Sequence, residues 1–205
     1  MVNELIGAVL QILVFTLIPF LVYLIGKKTT KGFFNYIGLK SSNRRANLLA
    51  VAACLLFALP TLILVFVNAE IREIMFDPAS ITGKFREMGF SAQAVVMLLI
   101  IALLKTSFSE EILFRGFLAK RLIALMGFER GNLLHAAIFG AIHTALFAMN
   151  TTNIFFLLVI FVVPGLGAYV SAYLNEKMAG GSIIPGWISH GLANVLAYSI
   201  VGFVI

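Results

Sequence analysis

The chain has little charge and almost no cysteine, and both shortages narrow what it can be. Charged side chains make up 12% of the 205 residues and hydrophobic ones 61%, and the mean hydropathy is +1.03. A soluble domain of this length needs more charge to keep its surface hydrated. The single cysteine, Cys54, excludes an intrachain disulfide, and its apolar surroundings are typical of a small buried side chain. The composition therefore indicates an integral membrane protein.

Other absences exclude particular kinds of catalytic site. Asp77 is the only aspartate, which excludes an intramembrane protease built on two aspartates. The Gly-x-Ser-x-Gly elbow of many serine hydrolases is missing, and so is the His-Glu-x-x-His signature of many zinc peptidases. Cys54 has no histidine nearby in the sequence to act as its base.

Long apolar runs fill most of the chain, and they are continuous rather than alternating, which favours helices over a β-barrel. A spanning helix needs about 20 mostly apolar residues. We therefore predict an all-α, polytopic transmembrane bundle, a single membrane domain over 1–205 with about six spans: 5–26, 46–69, 93–118, 132–149, 153–174 and 183–205. Because Glu4 stands where a signal peptide carries basic residues, and no small-residue cleavage site precedes Lys27, the first run is expected to be a membrane helix.

The net charge of +6 is concentrated in the loops. Lys and Arg number ten in the loops at 27–45, 119–131 and 175–182, against three in the loops at 70–92 and 150–152. The positive-inside rule then places the first group in the cytoplasm and both termini on the non-cytoplasmic side. The mixed-charge segment 70–92 is expected to face water. This distribution indicates the lipid bilayer, and not a nucleic acid, as the partner of the basic residues.

Three charged residues lie late in the third predicted span. Charge in the hydrocarbon costs about 2.5–3.5 kcal/mol on insertion scales, so such residues usually face the bundle interior. Glu111 and Arg115 are four residues apart and are predicted to pair on one helix face, an arrangement that suits a structural role equally well. Glu110 points about 100° away from its neighbour and has no local partner, as expected of a general base.

Two later spans carry further polar residues. His143 is either an interhelical hydrogen-bonding residue or a catalyst, whereas His190 and Asn194, four apart, point at one neighbour. At about 1.5 Å per residue, Glu110 lies about 12 Å, His143 about 16 Å and His190 about 10 Å from the cytoplasmic ends of their spans. The three helices therefore bring polar groups to a similar depth, which is the main sequence evidence for a site.

Two polar residues receive no role. His135 lies near the cytoplasmic end of its span, where its ring is expected to reach water. Lys105 comes a little over one turn before the two glutamates and suits either a counter-charge or a cavity lining.

These residue types are sufficient for the attack of water on an amide. Glu110 would take a proton from the water while His143 holds it, and His190 and Asn194 would donate hydrogen bonds to the oxyanion. Glu110, His143 and His190 could instead bind a divalent metal such as zinc, which accepts two histidines and a carboxylate. The residues by themselves leave both mechanisms open, with a metal cofactor or none.

The same residues form three motifs that resemble those of the CPBP family, which includes CAAX-prenyl endopeptidases of the Ras-converting type and bacterial Abi-type membrane proteases. The motifs are Glu110-Glu111-x-x-x-Arg115, Phe139-x-x-x-His143 and His190-x-x-x-Asn194. The resemblance covers about 93–205, which it marks as the catalytic core. It implies an intramembrane endopeptidase of a bacterial cell membrane that cleaves a membrane-associated peptide or protein. Glu110 would be the base, His143 its partner, and His190 with Asn194 the oxyanion or ligand pair, with Glu111 and Arg115 as supporting residues.

Two other functions remain compatible with the sequence. A non-enzymatic immunity or scaffold protein could use the same polar residues to bind a partner peptide. A proton-coupled transporter also uses buried Glu and His, although the chain shows no inverted repeat and its first two spans have no polar pathway.

Overall fold

The structure is a computed structural model that describes residues 2–205. Over that range the chain is helical, without a β-strand. The helices are α1 Val2–Lys27, α2 Phe33–Tyr36, α3 Arg44–Val67, α4 Ala69–Phe76, α5 Ile81–Met88, α6 Ala92–Met126, α7 Phe128–Ala148, α8 Ile154–Met178 and α9 Ile184–Phe203. The predicted all-α class is thus confirmed.

Polar side chains determine where several long helices begin. Asn43 accepts a hydrogen bond from the N–H of Ala46 at 2.9 Å, and Asn153 caps α8 in the same way at 2.8 Å. Each cap satisfies a backbone donor that the first helical turn leaves free. The prolines Pro19, Pro60 and Pro164 lie inside α1, α3 and α8, as membrane helices tolerate.

Five helices of residues 2–205 are long and apolar enough to cross a membrane: α1, α3, α6, α7 and α8. The sixth predicted span is also a helix, α9, with 20 residues. It contains no Asp, Glu, Lys or Arg, but His190, Asn194 and its serines and glycines lower its mean hydropathy below that of the other five. The polar residues that make α9 interesting therefore also make it the least membrane-like of the long helices.

Helix α9 is nevertheless central to the bundle. It packs along α3, against α6 and α5, and against α8. The largest apolar cluster joins residues of α3, α8 and α9, among them Leu62, Phe156 and Val201. By contrast α1 packs mainly on α6 and exposes most of its apolar side chains. The site helices α6 and α9 thus lie inside the bundle, and α1 lies at its edge.

Segment 70–92, expected to face water, exposes most of its charged side chains and also packs one face on the bundle. It contains α4 and α5, and α5 packs against the C-terminal half of α9 with Thr82 and Phe85 fully buried. Gly202 makes room for this contact, because a Cβ there would lie 2.7 Å from the Cβ of Phe85. The charged residues of α5, namely Lys84, Arg86 and Glu87, remain exposed.

The first basic loop folds onto the opposite end of the bundle. Ile37 is fully buried, and the carbonyl of Gly38 accepts a hydrogen bond from the N–H of Ile183 at 2.9 Å. Arg121, at the end of α6, stacks over the ring of Tyr36 at 3.7 Å. This loop therefore fixes the positions of the end of α6 and the start of α9, two of the three helices that carry the site.

Candidate active site

Helix α6 contains two π-helical segments, Ile100–Phe108 and Glu111–Ala119. Glu110 lies between them, and Glu111 begins the second. Hydroxyl side chains explain the first, since Thr106 and Ser107 both donate to the carbonyl of Ala102. Serine and threonine that bond back to carbonyls compete with the α-helical pattern, and π segments in membrane helices are common at functional sites. The wider turn changes the direction in which the following side chains point.

Glu111 is completely buried and Glu110 is not. The Oε1 atom of Glu111 lies 3.3 Å from Nε of Arg115, whose side chain is 3% exposed, so the predicted ion pair is present. The side chain of Glu110 keeps 18% of its surface exposed, while its Oε2 atom is buried without a hydrogen-bond partner. Glu110 is therefore partly exposed and has no partner for its Oε2, whereas Glu111 is fully buried and forms its ion pair through Oε1.

His190, on α9, lies between the two carboxylates. Its Nδ1 is 3.4 Å from Oε1 of Glu111, and its Nε2 is 3.9 Å from Oε2 of Glu110. Because a carboxylate can only accept, Glu111 favours the ring form that carries a proton on Nδ1. This leaves Nε2 on the side of Glu110.

His143, on α7, is oriented by its own helix. Its Nδ1 lies 2.9 Å from the carbonyl oxygen of Phe139, so Nδ1 is the donor and Nε2 of the neutral ring is an acceptor. The Phe139 ring lies between the histidines, with its centroid 4.3 Å from that of His143 and 6.1 Å from that of His190. Arg115 stacks on the same ring at 4.0 Å. Phe139 thus holds three polar side chains of the site in place.

Asn194 lies one turn beyond His190 on α9, but its amide faces α6. Its Nδ2 donates to Oγ1 of Thr106 at 3.0 Å and to Oγ of Ser107 at 3.2 Å. Both amide hydrogens are therefore in use in this arrangement. Asn194 thus links α9 to the π-helical segment, and its role as an oxyanion donor stays a prediction.

Gly186, which the sequence analysis did not single out, leaves the space that the buried Glu111 carboxylate occupies. A Cβ on Gly186 would lie 2.3 Å from Oε2 of Glu111, closer than real Cβ contacts come. Gly186 is in the first turn of α9, one helical turn before His190. A glycine four residues before the histidine of the last motif was the available signal.

The expectation for His135 was wrong. Its side chain is fully buried, with Nδ1 3.4 Å from Oδ1 of Asn132, which itself donates to the carbonyl of Tyr169 at 2.9 Å. The ring lies on the inner face of α7, because His135 and Phe139 are one turn apart. Nζ of Lys105 lies 2.8 Å from Oε2 of Glu4 on α1. Lys105 is therefore a counter-charge, one of the two roles that its position suited.

The suggested metal ligands do not form a metal site. Among residues 2–205 no group of three or more His, Cys, Asp or Glu side chains lies close enough to bind a metal ion. Structural and catalytic zinc sites have at least three protein ligands. Glu110 and His190 approach each other, but they form only part of such a set.

A cavity of about 400 Å³ lies between the start of α6 and the end of α9, lined by apolar residues such as Phe90, Leu98 and Val195. None of the site residues lines it. A second, smaller cavity of about 220 Å³ adjoins it at Arg86 and Gly202.

Comparison with known proteins gives one finding. Residues 92–196 match the model of a family described as Rce1-like: Type II CAAX prenyl endopeptidase Rce1-like. The match covers the predicted catalytic core except the last residues of α9 and includes all three motifs. No curated protein and no solved structure matches the chain.

Proposed function

The chain belongs to the family of Rce1-like type II CAAX prenyl endopeptidases, and from that premise we propose that it hydrolyses a peptide bond of a membrane-associated peptide or protein with Glu110 as general base. The family supports intramembrane endopeptidase activity in general. One observation carries the assignment of the base: Glu110 meets His190 from a separate helix with an Oε2 atom that has no hydrogen-bond partner, and its side chain, unlike the fully buried and Arg115-paired Glu111, keeps 18% of its surface exposed. A water molecule is the group that such an oxygen would bind.

In the proposed reaction the water donates one hydrogen to Glu110 and the other to Nε2 of His143. The bond between Nδ1 of His143 and the Phe139 carbonyl leaves that Nε2 as an acceptor. The oxygen of the water then attacks the peptide carbonyl carbon while its proton passes to Glu110. Glu110 later gives this proton to the departing amine, so that the carboxylate is regenerated.

The oxyanion of the tetrahedral intermediate needs a donor, and His190 is proposed for that role. With a proton on each nitrogen, the ring donates to Glu111 through Nδ1 and to the oxyanion through Nε2. Glu111 accepts from Nδ1 and so orients the ring for this contact. Asn194 would have to leave Thr106 or Ser107 to donate as well, so we assign it primarily to positioning the α6 segment against α9.

The test is cleavage of a quenched fluorescent peptide library, with prenylated and unprenylated members, by the protein in liposomes. Glu110→Gln and His143→Ala are each expected to lower the rate by about 10²–10⁴-fold, because each removes a proton-transfer partner. The matched control is Glu73→Gln, which changes an exposed glutamate of α4.

Full activity of a folded Glu110→Gln variant would refute the assignment of the base. A non-enzymatic immunity or scaffold protein makes the opposite prediction, namely that Glu110→Gln keeps its biological effect. Chelator treatment of the unsubstituted protein tests the metal alternative. It should leave the cleavage rate unchanged, because the proposed proton transfers involve only side chains and water.

A further inference from the structure

Asn175 connects three parts of the protein close to the site. It lies in the π-helical last turn of α8, Leu174–Met178, and its side chain is 1% exposed. Its Oδ1 accepts a hydrogen bond from the N–H of Gly186 at 2.8 Å. That N–H is in the first turn of α9, where no helical carbonyl is available to accept it. Asn175 therefore caps the helix that carries His190.

The other side of the same amide faces Glu111. The point where Gly186 would carry a Cβ lies 2.7 Å from Nδ2 of Asn175 and 2.3 Å from Oε2 of Glu111. Both atoms are buried, and neither has a hydrogen-bond partner. A buried donor and a buried acceptor thus approach each other beside a glycine, in a place where each unpaired group costs about 1–3 kcal/mol.

The two oxygens of Glu111 consequently have different neighbours. Oε1 is shared by Arg115 at 3.3 Å and His190 at 3.4 Å, and Oε2 lies near Nδ2 of Asn175, beside Gly186. One bridging water, or a small movement of either side chain, would join Asn175 to Oε2. The orientation of Glu111 then depends on Asn175, and the orientation of the His190 ring depends on Glu111.

We infer that Asn175 is a positioning residue of the active site, which holds the Glu111 carboxylate and through it orients the His190 ring. This inference rests on the proposed function only where it refers to catalysis. None of the three sequence motifs includes Asn175, because it lies on α8, a helix that contributes no motif.

The experiment is a double-mutant cycle of Asn175→Ala and Glu111→Gln, with peptide cleavage in liposomes as one readout. Asn175→Ala is expected to lower kcat by about 10–100-fold, as the loss of a supporting hydrogen bond does, with little change in KM. In the Glu111→Gln background, Asn175→Ala should lower kcat less than twofold further. If the factors by which the two single substitutions lower kcat multiply in the double variant, Asn175 has a merely structural role and the inference is overturned.

The second readout needs no substrate. The chain has three histidines, so the ¹⁵N NMR signals of His190 can be assigned with His135→Ala and His143→Ala variants. Asn175→Ala should shift the Nδ1 and Nε2 signals of His190, and it should leave them unchanged once Glu111→Gln is present. Unchanged His190 signals in a folded Asn175→Ala protein would overturn the inference, whether or not the protein cleaves peptides.

If Asn175→Ala fails to fold, Asn175→Ser replaces it in both readouts, because a hydroxyl can keep the bond to Gly186 but does not reach Glu111. The two readouts also separate the failures. If the unsubstituted protein cleaves no peptide but Asn175→Ala shifts the His190 signals, only the proposed function is contradicted. If the Asn175→Ala variant cleaves peptides normally and its His190 signals are unshifted, only the role of Asn175 is contradicted.

Discussion

Glu111, whose carboxylate is buried, is the residue on which the site depends most. A carboxylate with no exposed surface is stable only when opposite charge and hydrogen bonds surround it. Arg115 supplies the charge at 3.3 Å, and the Phe139 ring supports Arg115 by a cation–π contact at 4.0 Å. The pair and the aromatic ring thus form one unit, so the loss of any member should disturb His190.

Gly186→Ala tests the space that Glu111 needs. The added Cβ would lie 2.3 Å from Oε2 of Glu111, so the carboxylate or the start of α9 must move. We expect peptide cleavage to fall by at least about tenfold and the free energy of unfolding by about 1–3 kcal/mol, as overpacking typically costs. Cleavage and thermal unfolding of the purified protein are the measurements.

The matched control is Gly26→Ala in α1, where a Cβ meets nothing within 4 Å. It should leave cleavage unchanged, since alanine is the better helix former. Equal effects of the two substitutions would show that the loss of a glycine, and not the contact with Glu111, is responsible.

At the scale of elements, the π-helical part of α6 is held from two sides. From α1, Gln11 donates to the carbonyl of Lys105 at 2.7 Å and to Oγ of Ser109 at 3.0 Å. From α9, Nε1 of Trp187 donates to the carbonyl of Leu103 at 2.8 Å. Carbonyls in a membrane have no water to bind, so these side chains stabilise a helix turn that would otherwise be costly.

Gln11→Leu should therefore loosen the segment that directs Glu110. The substitution removes two interhelical hydrogen bonds, each worth about 0.6–2 kcal/mol in a membrane. We expect faster amide hydrogen exchange around residues 103–110 and a cleavage rate lower by about 3–30-fold. Gln93→Leu, at an exposed position near the start of α6, is the control and should change neither quantity.

The same reasoning gives a finer test with Trp187→Phe. The substitution keeps an aromatic ring against Phe108, which lies 5.0 Å from it, and deletes only the donor to Leu103. A moderate loss of activity with a small fall in thermal stability is expected, because the Leu103 carbonyl loses its donor. An unchanged rate would show that the Leu103 carbonyl does not need this partner.

For the whole molecule, the membrane topology, meaning which loops and termini face the cytoplasm, is still a prediction. Ten basic residues against three place the loops at 27–45, 119–131 and 175–182 in the cytoplasm. If α9 crosses the membrane, both termini lie outside, whereas five spans would put the C-terminus in the cytoplasm.

Single cysteines decide between these topologies. In a Cys54→Ala background, Ala79→Cys and Val204→Cys should react with a membrane-impermeant maleimide in intact cells, and Thr29→Cys should react only after lysis. All three positions are exposed, and Cys54 is buried at 4% exposure, so its replacement should be mild. Labelling of Ala79→Cys but not of Val204→Cys would show that α9 does not span the membrane.

The sequence by itself determined what depends on composition and on spacing within one helix. Apolar runs gave the helical membrane class, and the four-residue spacing of Glu111 and Arg115 gave their ion pair, because side chains four apart share a face whatever surrounds the helix. The three motifs identified the family for the same reason, since each lies within a single helix.

Only the tertiary structure decided which groups meet between helices. It placed His190 between two carboxylates, directed Asn194 to the hydroxyls of α6, buried His135 and brought Asn175 to Glu111. Such contacts depend on the rotation and depth of each helix relative to its neighbours, and a π-helical turn changes both. Because those quantities are set by packing across the whole bundle, no local pattern in the sequence contains them.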